Sequence, residues 1–170
     1  MKKILLTLPV LLVFISSNCE KEYQDFIIEN NSDESIVISY GFSSHYKDET
    51  YLLVHPEAET TNEYKNYLRR RRVPPHSSKN MGESLGERMI NSSHSSDTMY
   101  LCFIYQADIE TLSLEECQAR FPQIIPCEYQ LTQQDMINHN WTLSFPPTED
   151  MRDIKMIPPF DEVVENARKR

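Results

Sequence analysis

Hydrophobic and polar positions divide the chain into short, punctuated runs. Ser35–Phe42 alternates cleanly, with Ile36, Ile38, Tyr40 and Phe42 on one side and Val37, Ser39 and Gly41 on the other. A period of two predicts a half-buried strand. Phe26-Ile27-Ile28 predicts a shorter strand before it. Asn30-Asn31-Ser32-Asp33 between them predicts a turn, so the two strands read as a hairpin. Thr98–Tyr105 (TMYLCFIY) has no polar alternation, which predicts a central strand covered on both faces. In Trp141–Phe145, Trp141, Leu143 and Phe145 share the inward parity. Tyr51–His55 and Glu128–Leu131 read as further strands. Ser113-Leu114-Glu115-Glu116 matches a capping box and predicts a helix with Leu114, Cys117 and Phe121 on one face, stopped by Pro122. Thr132-Gln133-Gln134-Asp135 predicts a second short helix, running to Asn140. Residues 57–97 are polar and poorly periodic, and read as long loops with one or two edge strands. Residues 148–170 read as a C-terminal tail, partly docked through Ile154–Phe160 and Val163-Val164 and frayed at its end. The expectation is a mainly β, sandwich-like domain over residues 25–147, with about six short strands and two short helices.

The N-terminus follows a different pattern. Lys2 and Lys3 precede Ile4–Ile15, an apolar stretch interrupted by Thr7 and Pro9; Ser16, Ser17 and Asn18 follow, then Cys19. The stretch is short of the roughly 20 residues that span a bilayer. It has the layout of a secretory signal. With Cys19 directly after the small residues, it resembles a bacterial lipoprotein signal, although Ser16 stands where Leu is commonest and Asn18 where Gly, Ala or Ser is usual. That resemblance implies a signal peptide over 1–18, a diacylglycerol on the Cys19 thiol, and a short tether over 19–24. An ordinary cleaved signal with Cys19 as a spare thiol is the other reading. Lipidation implies a cell-envelope location, anchored at the outer membrane on its periplasmic or surface face.

The order of segments carries a second resemblance. An Asn-Asn-Ser turn follows the first strand, and Val73-Pro74-Pro75-His76-Ser77-Ser78-Lys79 follows a long loop. A Ser-capped helix leads into Glu128–Asp135. Asn140-Trp141-Thr142-Leu143-Ser144-Phe145-Pro146-Pro147 and Lys155-Met156-Ile157-Pro158-Pro159-Phe160 close the series. Across most of residues 25–160 this pattern resembles the small uncharacterised lipoproteins of gut Bacteroidales, a family of unknown function. The resemblance implies compartment and fold, and brings no activity with it.

Charge narrows the function classes. The chain has 17 basic and 26 acidic side chains, a formal charge of −9. An acidic chain lacks the basic face that neutralises phosphates, so nucleic acid is not an expected partner. With 3 Gly, no Gly-rich phosphate loop is expected. Removing residues 1–18 would leave 15 basic against 26 acidic side chains, a charge of −11, which anionic lipid surfaces would repel. The chain then reads as a tethered, solvent-facing domain.

Candidate chemistry is sparse. Of the Cys at 19, 102, 117 and 127, Cys102 reads as a core hydrophobe. Cys117 and Cys127 flank a compact segment that an oxidising envelope could close with a disulfide, though spacing does not show that their Cα atoms approach within bonding range. The His at 45, 55, 76, 94 and 139 have no i, i+4 pairing, and no Cys/His spacing suits a metal. No catalytic, metal or cofactor set is therefore expected. Arg69–Arg72 reads as a solvated loop or as a dock for an anionic glycan, headgroup or acidic partner. Trp141 reads as core. Tyr46, Tyr51, Tyr64 and Tyr67 are the candidates for an exposed aromatic surface. Asp97-Thr98-Met99 resembles the O-glycosylation sequon of Bacteroidetes envelope proteins, with Thr98 as acceptor. The reading is a lipid-anchored envelope protein: a non-enzymatic domain that binds or scaffolds a protein or glycan partner. The alternatives are a small envelope hydrolase with an unfamiliar site, or an acidic inhibitor or immunity-type lipoprotein.

Overall fold

The most apolar stretch of the chain builds the middle of the larger of two sheets. The computed structural model describes residues 25–42, 61–82, 98–120 and 123–170. Five strands form the larger sheet: β2 (Ile36–Gly41), β3 (Arg72–Val73), β5 (Met99–Tyr105), β6 (Cys127–Leu131) and β8 (Lys155–Ile157). Their spatial order is β3-β2-β5-β6-β8, all neighbours antiparallel. The smaller sheet has the order β4-β1-β7, from β1 (Ile27–Asn30), β4 (Ser77–Asn80) and β7 (Thr142–Phe145). There β1 is antiparallel to β4 and parallel to β7. Five short helices complete the described residues: α1 (Thr61–Arg70), α2 (Gln106–Ile109), α3 (Leu114–Arg120), α4 (Gln133–Asn138) and α5 (Phe160–Arg168). The fold is thus β-rich but mixed, with eight strands where the periodicity suggests about six.

Alternation decides what each face buries. Met99, Leu101, Phe103 and Tyr105 of β5 point into one core with Ile36 and Ile38 of β2, Cys127, Tyr129 and Leu131 of β6, and Phe26, Ile28, Leu143 and Phe145 of the smaller sheet. The Phe103 ring lies 4.7 Å from that of Tyr129 and is stacked at 4.8 Å on Phe145, so aromatic contact joins the two sheets. Val37 and Ile104 point the other way. They meet Leu68 of α1, Ile109 of α2, Cys117 of α3 and Leu112 just before that helix. Sheet, sheet and helices make three layers, and β5 is covered on both faces as its composition predicts.

β1 and β2 are not a hairpin. They belong to different sheets, and the Asn30–Ser35 link carries the chain between layers. Asn30 makes this possible. Its side chain is fully buried, and its amide donates toward the carbonyls of Glu34, Val73 and Pro74 at 2.8, 3.1 and 2.9 Å. Its Oδ1 accepts from the Ser32 N–H at 3.1 Å and from Ser32 Oγ at 2.7 Å. One residue therefore closes an Asx turn and ties β1 to the β3–β4 connection.

Both capping boxes form. The Ser113 N–H donates to Glu116 Oε2 at 2.8 Å, and the Glu116 N–H to Ser113 Oγ at 3.2 Å. The Ser113 N–H is the main reason the Glu116 carboxyl is held below the usual carboxylate range. Thr132 and Asp135 cap α4 reciprocally. The helix α4 ends at Asn138, before the expected Asn140, in a Schellman motif. The Trp141 N–H reaches Met136 O at 2.8 Å and the Asn140 N–H reaches Ile137 O at 3.1 Å. Asn140 takes the left-handed conformation this requires, φ +49°. Trp141 follows with φ +58°, a conformation bulky residues rarely adopt. Its buried ring, 4% exposed, packs in the inter-sheet core.

Two other expectations are corrected. Within 57–97, residues 61–70 are a helix rather than loop; β3 and β4 are the edge strands. Residues 148–170 are not a tail. Met151, Ile154, Met156, Phe160 and Val163 belong to the main core, β8 extends the sheet, and α5 closes one end. The chain end is held rather than frayed: the Arg170 guanidinium lies 3.9 Å from the Tyr105 ring centroid and bonds Asp108 at 2.7 and 2.8 Å. Isolated apolar islands in a polar segment understate burial when they fill a gap left by other elements. The predicted strand at Tyr51–His55 and the whole of 1–24, with Cys19, lie outside the described residues.

Candidate functional site

The four arginines of the Arg69–Arg72 run do different things. Helix α1 carries Glu63 in its first turn and Arg69 and Arg70 in its last, the arrangement the helix dipole favours. Leu68 turns inward onto the sheet and leaves Lys65 and Arg69, four residues apart, on the same side of the helix. The chain then turns into β3, where alternation separates neighbours. Arg71 lies over the Tyr40 ring at 4.4 Å from its centroid. Arg72 sits opposite Val37 on the outer face of the sheet, and donates to Ser35 Oγ at 3.0 and 3.2 Å.

The result is a cleft of about 250 Å³ between α1 and α2, lined by Val37, Lys65, Leu68, Arg69, Arg72, Gln106, Ile109 and Glu110. Val37, Leu68 and Ile109 are buried and contribute an aliphatic floor. Lys65, Arg69 and Arg72 are exposed and form a cationic rim. Gln106 opens α2 and is anchored through its N–H to Ser35 O at 2.9 Å. Its side-chain Oε1 is buried and has no hydrogen-bond partner. A buried acceptor without a partner forfeits the hydration it would have in water. Glu110 supplies the one carboxylate of this lining among the described residues. A second cleft of about 300 Å³ adjoins it, shares Arg72, Gln106 and Glu110, and adds Glu34, Ser35 and Ala107. Three cations, an aliphatic floor and a dry acceptor suit an amphipathic anion that also carries a hydrogen-bond donor.

Other candidate residues lie elsewhere. Cys127 is a thiol in the inter-sheet core, its pKa pushed well up by burial. Cys117 packs in the cluster on the opposite face of the same sheet. The Cys117–Cys127 bridge that spacing permits is therefore not formed: the sheet stands between the two side chains. Cys102 is fully buried beside Tyr100 and Ile125, as expected of a core hydrophobe. Thr98 is half-buried at the entry to β5, while Asp97 lies outside the described residues. Tyr46, Tyr51, His45, His55 and His94, and the side chains of Tyr64 and Tyr67, also lie outside them. His76 pairs with Asp33 at 2.9 Å on the surface. His139 is 7% exposed between Asp150 and Asp153, at 3.8 and 3.5 Å. These carboxylates face different ring nitrogens and cannot share one ion with the imidazole. Among the described residues no group of three or more His, Cys, Asp or Glu is placed to hold a metal. None of their helices is long and apolar enough to cross a membrane.

Sequence reasoning singled out Arg69 and Arg72 but missed Lys65, Gln106 and Glu110. A signal for the first was present. In TNEYKNYLRR, Tyr64, Tyr67 and Leu68 recur at helical spacing between an acidic first turn and a basic last turn. Gln106 and Glu110 carry no such signal, because their place depends on how β5 leads into α2. Comparison with known proteins finds no matching family model, no similar curated protein and no similar solved structure.

Proposed function

We propose that this chain is a lipid-anchored binding domain of a bacterial cell envelope, held by lipid on Cys19, that takes an anionic group of its partner into the α1–α2 cleft. The observation that carries the binding reading is the cleft itself: Lys65, Arg69 and Arg72 converge over an aliphatic floor in a chain of net charge −9. Local cationic rims in an acidic chain give selectivity, since the surrounding field repels extended polyanions. The resemblance to Bacteroidales lipoproteins and the layout of residues 1–19 support the envelope location.

Two measurements test the two halves. Cys19→Ala should move the protein from the membrane to the soluble fraction; unchanged detergent partitioning removes the anchor. Titration of the full chain in detergent with butyrate, a small amphipathic carboxylate, should shift the NMR signals of the Gln106 side-chain amide. The Arg69→Gln/Arg72→Gln variant should abolish the shift. Identical response in the two proteins would defeat the binding reading.

A further inference from the structure

Resting on that reading of the cleft, we infer that its ligand is the C-terminal residue of a peptide or protein chain: an aliphatic residue with a free carboxylate, preceded by a basic residue. Each part of the lining matches one group of such a terminus. The carboxylate meets the Arg69 guanidinium, the Lys65 ammonium and the side of the Arg72 guanidinium that Ser35 Oγ leaves unoccupied. The last backbone N–H is the donor that the unpartnered Gln106 Oε1 lacks. The side chain rests on Val37, Leu68 and Ile109.

Size and lining argue against other anions. The cleft of about 250 Å³ equals about eight waters of liquid volume, room for one residue. An inorganic anion would use the rim and leave the aliphatic floor wet. The adjoining cleft continues the site upstream through shared Arg72, Gln106 and Glu110. Glu34 there already pairs with the Arg170 guanidinium at 3.6 Å, and the Glu110 carboxylate favours a basic side chain and opposes an acidic one. Capture of a chain terminus by a cationic nest is an established recognition mode.

The test uses the full chain in detergent and N-terminally labelled pentapeptides read by fluorescence polarisation. Gly-Ser-Gly-Lys-Leu as the free acid should bind at least tenfold more tightly than its C-terminal amide. Replacing its Lys by Glu should weaken binding several-fold. The Arg69→Gln/Arg72→Gln variant should bring acid and amide to the same affinity. Both arginines are exposed, so the variant should melt within a few degrees of the parent. Gln106→Leu, which keeps the volume and removes the acceptor, should weaken the acid peptide several-fold, while butyrate still shifts the methyl signals of Leu68 and Ile109 on the cleft floor. Equal binding of acid and amide overturns the inference. So does butyrate competing as strongly as the peptide, an outcome that leaves the broader binding reading standing. Failure of both butyrate and peptide overturns both.

Discussion

The two faces of the five-stranded sheet are built from the same strands and do different work. Its inner face is almost wholly apolar, and the aromatic rings of Phe103, Tyr129 and Phe145 lock it to the smaller sheet. Its outer face mixes Val37, Cys102 and Ile104 with Ser39, Glu128 and Gln130, under short helices rather than a sheet. Even the inner face admits polar atoms where they are bonded: Tyr129 OH donates to Ser144 O at 2.8 Å. Short helices leave gaps that a packed sheet does not, and the candidate cleft is such a gap. The contrast places the tightest packing of the molecule on one side of β5 and the candidate cleft on the other.

The sharpest way to break this comparison is Phe103→Ala. Losing the ring between Tyr129 and Phe145 should cost about 3–5 kcal/mol in urea denaturation, enough to unfold a marginal domain. A loss below about 1 kcal/mol would show that the inter-sheet core is not the main store of stability. Asn30→Ala should come next, at about 1–3 kcal/mol, because the carbonyls of Glu34, Val73 and Pro74 lose a shared buried donor. On the outer side, Ser113→Ala should cost about 1 kcal/mol. Hydrogen exchange should localise that loss to α3, and a loss spread over the inner strands would contradict the division.

The smallest effect carries a sign. Burial raises the Glu128 carboxyl above its ordinary value, opposed by the Gln130 amide and Lys155. The ionised form is therefore less welcome in the folded chain than in the unfolded one. Its contribution to stability is full below the unfolded carboxylate value and falls as pH rises through the folded one. Glu128→Gln should thus stabilise the protein slightly at neutral pH, and the gain should vanish in acid. A gain independent of pH would mean that the amide simply packs better.

Much of the fold was legible in local pattern. The alternation of Ile36, Ile38 and Tyr40, the unbroken TMYLCFIY run and the parity of Trp141, Leu143 and Phe145 all report which face is buried, since side chains on a strand alternate whatever lies beyond them. Both capping boxes were legible because a cap is a contact between residues three apart. Helix α1 escaped notice because tyrosines supply most of its apolar positions. The region after Thr148 was undervalued because its apolar residues find their partners in other elements of the fold, β8 by pairing with β6 and the rest in the inter-sheet core. Asn30 reads as a turn former, and nothing local says that its amide reaches Val73 and Pro74.

By itself the sequence determined the strand faces, the two capped helix starts at Ser113 and Thr132 and the acidic balance of the chain. These depend on near neighbours and on totals. Only the tertiary structure decided that β1 and β2 part into different sheets, that a sheet stands between Cys117 and Cys127, and that Lys65, Arg69, Arg72 and Gln106 share one cleft. Those outcomes depend on which distant surfaces bury one another best. That free energy belongs to pairs of elements, and no single stretch of chain contains it.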